Sequence, residues 1–202
     1  QYYVKADFPD AVNSLTVFKL NVVATIPTKN YNYHYLTSIF VSRKNPAHLI
    51  KLTNASQEWC GNTFKEIQNW NGLFQFTFHS YFDGEGDGSL ALDFKIGDLL
   101  EDQLALTLRS LPFEEGYRLC ARILDSLVTN RIQPLPQWQD AQITVVGLEP
   151  LGDRRTWNVS VQRNGLSQHF WFDEIYPHIM VQFTSSDGRE LKLKTISRRK
   201  YW

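Results

Sequence analysis

Residues 73–82 read LFQFTFHSYF, and this stretch decides the fold class. Phe74, Phe76, Phe78 and Phe82 fall on one side of a period-two pattern, while Gln75, Thr77, His79 and Tyr81 fall on the other. A β-strand with one ring-lined face and one polar face satisfies that spacing. The polar face is expected to meet water or a cavity. DGEGDG (83–88) then turns the chain, and 89–94 returns as a further strand.

Upstream, LTVFKLNVVAT (15–25) is a β-branched run that ends before Pro27. YNYHYLTSIFVS (31–42) is an aromatic strand with Tyr31, Tyr33 and Tyr35 on one side. Residues 48–53 are expected to pair with 57–67 through Asn54 and Ala55, which places Cys60 in mid-strand. Downstream, the spacing predicts a helix over 98–110. Asp98 is its candidate N-cap with Glu101 three residues on, and Pro112 stops it. Leu100, Leu104, Leu108 and Leu111 lie within an arc of about 80°. Strands are then expected at 117–124, 127–132, 141–148, 156–163, 167–172, 179–184 and 190–197. Asn164-Gly165 and Asp187-Gly188 are hairpin dipeptides whose central positions want positive φ. PLPQWQDAQ, from Pro134, is the longest loop-like piece.

The 202 residues suit a single domain, 1–202, with strands over 15–95, the helix at 98–110 and a β-meander over 117–197. The chain holds 13 Phe, 9 Tyr and 6 Trp, a bias toward pleated, half-buried surfaces. Lys plus Arg number 21 and Asp plus Glu number 21, so there is no electrostatic footprint for nucleic acid. No apolar run is long enough for a membrane-spanning helix, and the first residues do not read as a signal peptide. Two cysteines are too few for a disulfide scaffold or a Cys-type zinc site, and a single Cys60–Cys120 bridge is the one pairing open to them. The fold expected is mainly β with one helix (α+β). It is a strongly curved antiparallel sheet or half-barrel wrapped around one apolar helix at about 98–110. Such sheets commonly enclose a ligand cavity.

Two longer stretches, DQLALTLRSLPFEEG (102–116) and HFWFDEIYPHIMVQFTSSDGRELKLKTISRRKYW (169–202), resemble the DUF3108-type bacterial proteins. FKLN, YNYHYLTSIF, SQEWCG and HSYFDGEGD in the first half are similar to uncharacterised extracytoplasmic bacterial proteins carrying that module. The resemblance implies a half-barrel like those of the lipoprotein carriers LolA and LolB, and a place in the periplasm or at the outer membrane. It brings no assigned catalytic residue. A lipid-anchored member would begin at a lipidated cysteine, and none lies near Gln1.

Three constellations offer chemistry. Glu58, Cys60 and His79 would make a thiol–imidazole pair with an acidic orienter, the basis of a Cys-dependent hydrolase or transferase. Strict alternation puts Glu58 and Cys60 on one face and Gln57 and Trp59 on the other. Gln57, Trp59, Gln75, Thr77 and Tyr81 are the candidate ligand-binding wall. Against catalysis, no cation or helix N-terminus is in view to activate the thiol, and a small buried apolar cysteine is the plainer reading. Asp83, Glu85 and Asp87 match the first half of a calcium loop, but position twelve is Phe94 and the flanks are strands; a solvated hairpin is the plainer reading. His169, Trp171 and Asp173 alternate along one strand with His178 beyond, a weak zinc set. No cofactor motif is present. SRRKYW (197–202) is locally basic and aromatic, suited to anionic lipid or to an ordinary strand end. The function expected is non-enzymatic binding of a lipid-like or other apolar ligand in the concave face of the half-barrel, with a Cys-dependent hydrolase or transferase as the alternative and a calcium-stabilised structural module as the second. An envelope protein or peptide is the alternative partner.

Overall fold

The structure is a computed structural model that describes residues 3–6, 8, 12–70 and 72–200. It is mostly antiparallel β with one short helical segment. The chain divides into two compact units, Gln1–Leu104 with Leu124–Trp138, and Ala105–Ile123 with Gln139–Trp202.

The first unit carries a six-stranded meander in chain order: β1 (Val17–Pro27), β2 (Asn32–Ser42), β3 (Leu49–Glu58), β4 (Gly61–Trp70), β5 (Leu73–Ser80) and β6 (Asp87–Leu92). Its buried face grades from apolar to polar along the strands. One cross-strand row is Ile39, Leu52, Ile67 and Phe76, all at most 1% exposed. Burial of side chains that size stabilises by about 1.5–3 kcal/mol each. The next row is Thr37, Asn54, Lys65 and Phe78, and the one after is Tyr35, Ser56, Thr63 and Ser80. Glu58, opposite Gly61, ends the series.

Two glycines shape this face by what they leave out. A Cβ on Gly88 would sit 2.4 Å from the Phe78 ring, and one on Gly61 would sit 2.5 Å from the Tyr81 ring. Each aromatic ring lies in the space its neighbour lacks a side chain to fill.

The second unit carries β8 (Arg118–Leu124), β9 (Trp138–Leu151), β10 (Arg154–Arg163), β11 (Leu166–Asp173), β12 (Met180–Ser185) and β13 (Glu190–Lys192), again neighbours in chain order. Its sheet is curled into a half-barrel. Register slips at Asn158/Val159 and at Trp171/Phe172 are β-bulges, which sharpen local twist and bend a sheet. Ile143, Val145, Val159, Val161, Phe170 and Phe172 are buried on one face. Asn164 and Gly165 both take positive φ, as a two-residue hairpin needs. Asp187 does not: Gly188 alone takes positive φ there, in a longer turn closed by Ser185 N to Arg189 O.

The helical segment is shorter and less regular than its leucine spacing predicts. β7 (Leu99–Leu100) is extended, and α1 (Leu104–Thr107) is flanked by 3₁₀ turns at Glu101–Gln103 and Leu108–Ser110. Asp98 does not cap it. Its carboxylate accepts the Lys95 amide at 2.7 Å, and Gln103 Oε1 accepts the Leu100 amide at 3.2 Å.

Two further expectations change. β3 runs through Asn54 and Ala55 to Glu58, so the hairpin tip is Trp59-Cys60 and Cys60 is not in mid-strand. Residues 127–132 form no strand. Among the described residues no helix is long and apolar enough to cross a membrane.

Candidate functional site

Between β8 and β9 the chain from Asp125 to Gln137 has no regular structure and lies against the polar end of the first sheet. A loop without a ladder must satisfy its backbone groups some other way. Here side chains do it. Asp102 accepts Ser126 Oγ at 2.5 Å and the Leu127 amide at 2.8 Å. Lys65 Nζ donates to the carbonyls of Leu127 at 2.9 Å and Thr129 at 2.6 Å. Thr63 donates to the Asn130 carbonyl, and Asn130 Nδ2 donates to Glu58 Oε1 at 3.0 Å. Glu85 Oε2 accepts the Ile132 amide at 3.1 Å and Ser80 Oγ at 2.6 Å, with Gln133 N on its other oxygen. Asp125 and Gln137 close the loop on each other. The loop is strapped down at every turn.

Glu58 is the centre of the polar end. It is 8% exposed and accepts the Tyr31 hydroxyl at 2.9 Å, the Tyr81 hydroxyl at 2.5 Å and Asn130. Burial alone would raise its pKa. The hydrogen bonds from Tyr81, Asn130, Tyr31 and Tyr33 outweigh that and hold the carboxyl below its usual range. The Tyr31 phenol is pushed up by its contacts with Cys60 and Glu58, and the Tyr81 phenol by burial and Glu58. Both phenols therefore stay neutral donors. A carboxylate offers about four acceptor sites, and Tyr31, Tyr81 and Asn130 take three of those on Glu58.

Cys60 is brought near this cluster, with Sγ 3.4 Å from the Tyr31 hydroxyl, but it is exposed at the hairpin tip rather than a buried apolar residue. His79 is not brought near. It lies across the sheet, against its cross-strand partner Phe64 and 3.2 Å from Asp87. The Glu58–Cys60–His79 constellation is thus divided, because Glu58 belongs to the face of Phe74 and Phe76. Gln75 and Thr77 share the His79 face, bonded to or beside Ser89, and Gln57 is exposed. Tyr81 escapes the alternation because β5 ends at Ser80, and it turns back to Glu58. Trp59 is 83% exposed and stacks on Tyr31 at 5.1 Å.

The calcium-loop residues also diverge. Glu85 faces the loop 125–137, Asp87 pairs with His79, and Asp83 is exposed. In the second unit Trp171 donates to Glu149, His169 contacts Asn158 at 3.1 Å, Asp173 pairs with Arg154, and His178 contacts the Asp173 carbonyl. Among the described residues no three His, Cys, Asp or Glu side chains are grouped to hold a metal. Both cysteines are free. Of the terminal SRRKYW, residues 197–200 form no regular element, while Tyr201 and Trp202 lie outside the described residues.

Between the strap and the sheet is a cavity of about 310 Å³. Phe76 and Lys65 reach it from the strands; Leu127, Ile132, Pro134 and Leu135 wall it from the loop. Burial pushes the Lys65 ammonium down to about 8, against the pull of Asp102 and Glu85. Burial pushes the Asp102 carboxyl up to about 6, partly offset by its bonds from Ser126 and Leu127. Nothing in the sequence signals this pair. A lysine at a period-two position reads as an outward charge, and Asp102 reads as a solvated turn of a leucine-rich helix. The one visible sign of the strap is the proline pair at 134 and 136.

No protein-family model, curated protein or solved structure matches the chain.

Proposed function

We propose that this is a non-enzymatic binding protein that holds a small, mainly apolar molecule beneath the loop 125–137. The observation that carries the reading is the cavity itself, about 310 Å³, walled by Phe76, Leu127, Ile132, Pro134 and Leu135. Ligand sites in proteins span roughly 300–1,000 Å³ and are lined mainly by apolar side chains. The size sits at the low end, which suits one short chain or ring system better than a two-chain lipid. The inner face of the half-barrel is less suited, since its apolar residues are already buried. A cell-envelope setting, periplasm or outer membrane, belongs to the same proposal and rests on the family resemblance.

Catalysis is the weaker reading. The one thiol near a carboxylate has its candidate base on the opposite side of the sheet.

The test is binding of a neutral apolar fluorophore, Nile red, to the whole chain and to Leu135→Trp, which fills the cavity from an accessible loop position. Saturable enhancement in the native protein, lost in Leu135→Trp while the melting temperature holds, is the expected result. Equal enhancement in both proteins would place the dye elsewhere and remove the proposal.

A further inference from the structure

We propose that the ligand of this cavity is a monocarboxylate with a short apolar body, its carboxylate paired with Lys65. This rests on the binding reading above and adds the head group to it.

Lys65 is 1% exposed and reaches the cavity from β4. An ammonium has three N–H donors. Two are used, on the Leu127 and Thr129 carbonyls, and no acceptor among the described residues takes the third. Those two partners are neutral, and Lys65 forms no ion pair within 4 Å among the described residues. Asp102 and Glu85 favour the ammonium from beyond ion-pair distance, and burial outweighs them, so the cost falls on the charged form.

The neighbouring anions are committed elsewhere. Asp102 accepts from Ser126 and Leu127, Glu85 from Ser80 and Ile132, and Asp125 from Gln137. The second cation in the lining, Arg131, lies over the Phe82 ring at 3.6 Å and 3.8 Å from Glu85. Lys65 therefore keeps one N–H donor at the cavity while the carboxylates around it are engaged by other groups. A carboxylate there would take the third N–H and neutralise the ammonium, while the apolar walls cover the rest of the molecule. A cationic ligand would meet Lys65 head on, and a neutral one would leave it as it is.

The groups facing Lys65 also set the pH dependence. They are Asp102 and Glu85, with Asp125 and Arg131 in the same lining. Burial holds the Lys65 ammonium down at about 8, so carboxylate preference should fade as pH rises through and above that value.

The experiment is competition against Nile red by octanoate, 1-octanol and octylamine, with phenylpropionate as a second acid. At pH 7 octanoate should bind at least about tenfold tighter than octanol, the worth of a charge-assisted hydrogen bond, and octylamine should not compete. Phenylpropionate shows whether a ring or a chain is preferred. The preference should shrink at pH 9.5 and collapse in Lys65→Met. Since Lys65→Met also frees two strap carbonyls, Thr63→Val serves as a control that loosens the strap without removing charge, and it should keep the preference. Octanol binding as tightly as octanoate would overturn the head-group assignment and leave the binding reading standing. Selectivity that disappears in Arg131→Gln but survives in Lys65→Met would overturn it too. Dye binding that none of the four compounds displaces would contradict this inference, and absence of dye binding would remove the reading beneath it.

Discussion

The two sheets bury faces of different character. In the second unit Ile143, Val145, Val159, Val161, Phe170 and Phe172 share their buried face with Arg163 and Gln168, while Glu149, Asn158, His169 and Trp171 bond to one another. In the first unit the apolar row at Ile39 and Leu52 gives way over the next three rows to Asn54, Lys65, Thr63 and Glu58. The difference follows from what each face has to hold. An apolar face needs only volume. A face covered by a loop must supply an acceptor or donor for every backbone group the loop cannot satisfy itself.

The largest effects should separate these two ways of holding a fold. Phe172→Ala should cost about 3–5 kcal/mol through transfer and cavity terms. Glu58→Ala should cost about 3 kcal/mol by a different route, because it leaves Tyr31, Tyr81 and Asn130 without their shared acceptor. Urea unfolding monitored by amide signals from each unit checks both. A Glu58→Ala loss below about 1 kcal/mol would break the comparison, since the strap would then rest on its apolar contacts.

Acid should act on the first unit ahead of the second. Glu58 and Glu85 are held below the usual carboxylate range, so the stability they provide is present above that range and lost as pH falls through their folded-state values. Asp102 works the other way. Its folded value near 6 exceeds the ordinary one, so protonation between about pH 6 and 4 favours the fold. A pH series should show the strap amides loosening below the usual carboxylate range while those of β10 and β11 persist. The double variant Glu58→Gln, Glu85→Gln should flatten that acid limb. Asp187 is also held low by Arg189, but on a partly exposed hairpin, where such a pair contributes little.

Gly61→Ala should cost about 2 kcal/mol, because the new Cβ meets the Tyr81 ring and pushes its hydroxyl away from Glu58. Ser56→Ala is the smallest effect and has the opposite sign. Ser56 Oγ is buried with no hydrogen-bond partner among the described residues, so its removal should be neutral or stabilise by up to about 1 kcal/mol in thermal unfolding.

The strands were legible because period two and β-branched or aromatic side chains are properties of the residues themselves. The site was legible only in part, because it depends on which chain segment covers a face. LFQFTFHSYF announced two faces, and the polar one was the natural place for chemistry; yet Glu58 lies on the phenylalanine side, where the strap needs it. Leu127 and Ile132 are buried, and that apolar pair made 127–132 read as a strand. Its backbone is taken by Lys65, Asp102 and Glu85, from three separate places in the sequence, and no local pattern brings those together.

Amide hydrogen exchange across residues 125–137, with and without octanoate, tests the strapped cavity most directly. In the free protein the amides of Leu127 and Ile132, which reach Asp102 and Glu85, should exchange far more slowly than an unstructured chain. Octanoate at pH 7 should slow them further. Exchange at the rate of an unstructured loop, unchanged by octanoate, would contradict both the anchoring and the site it encloses.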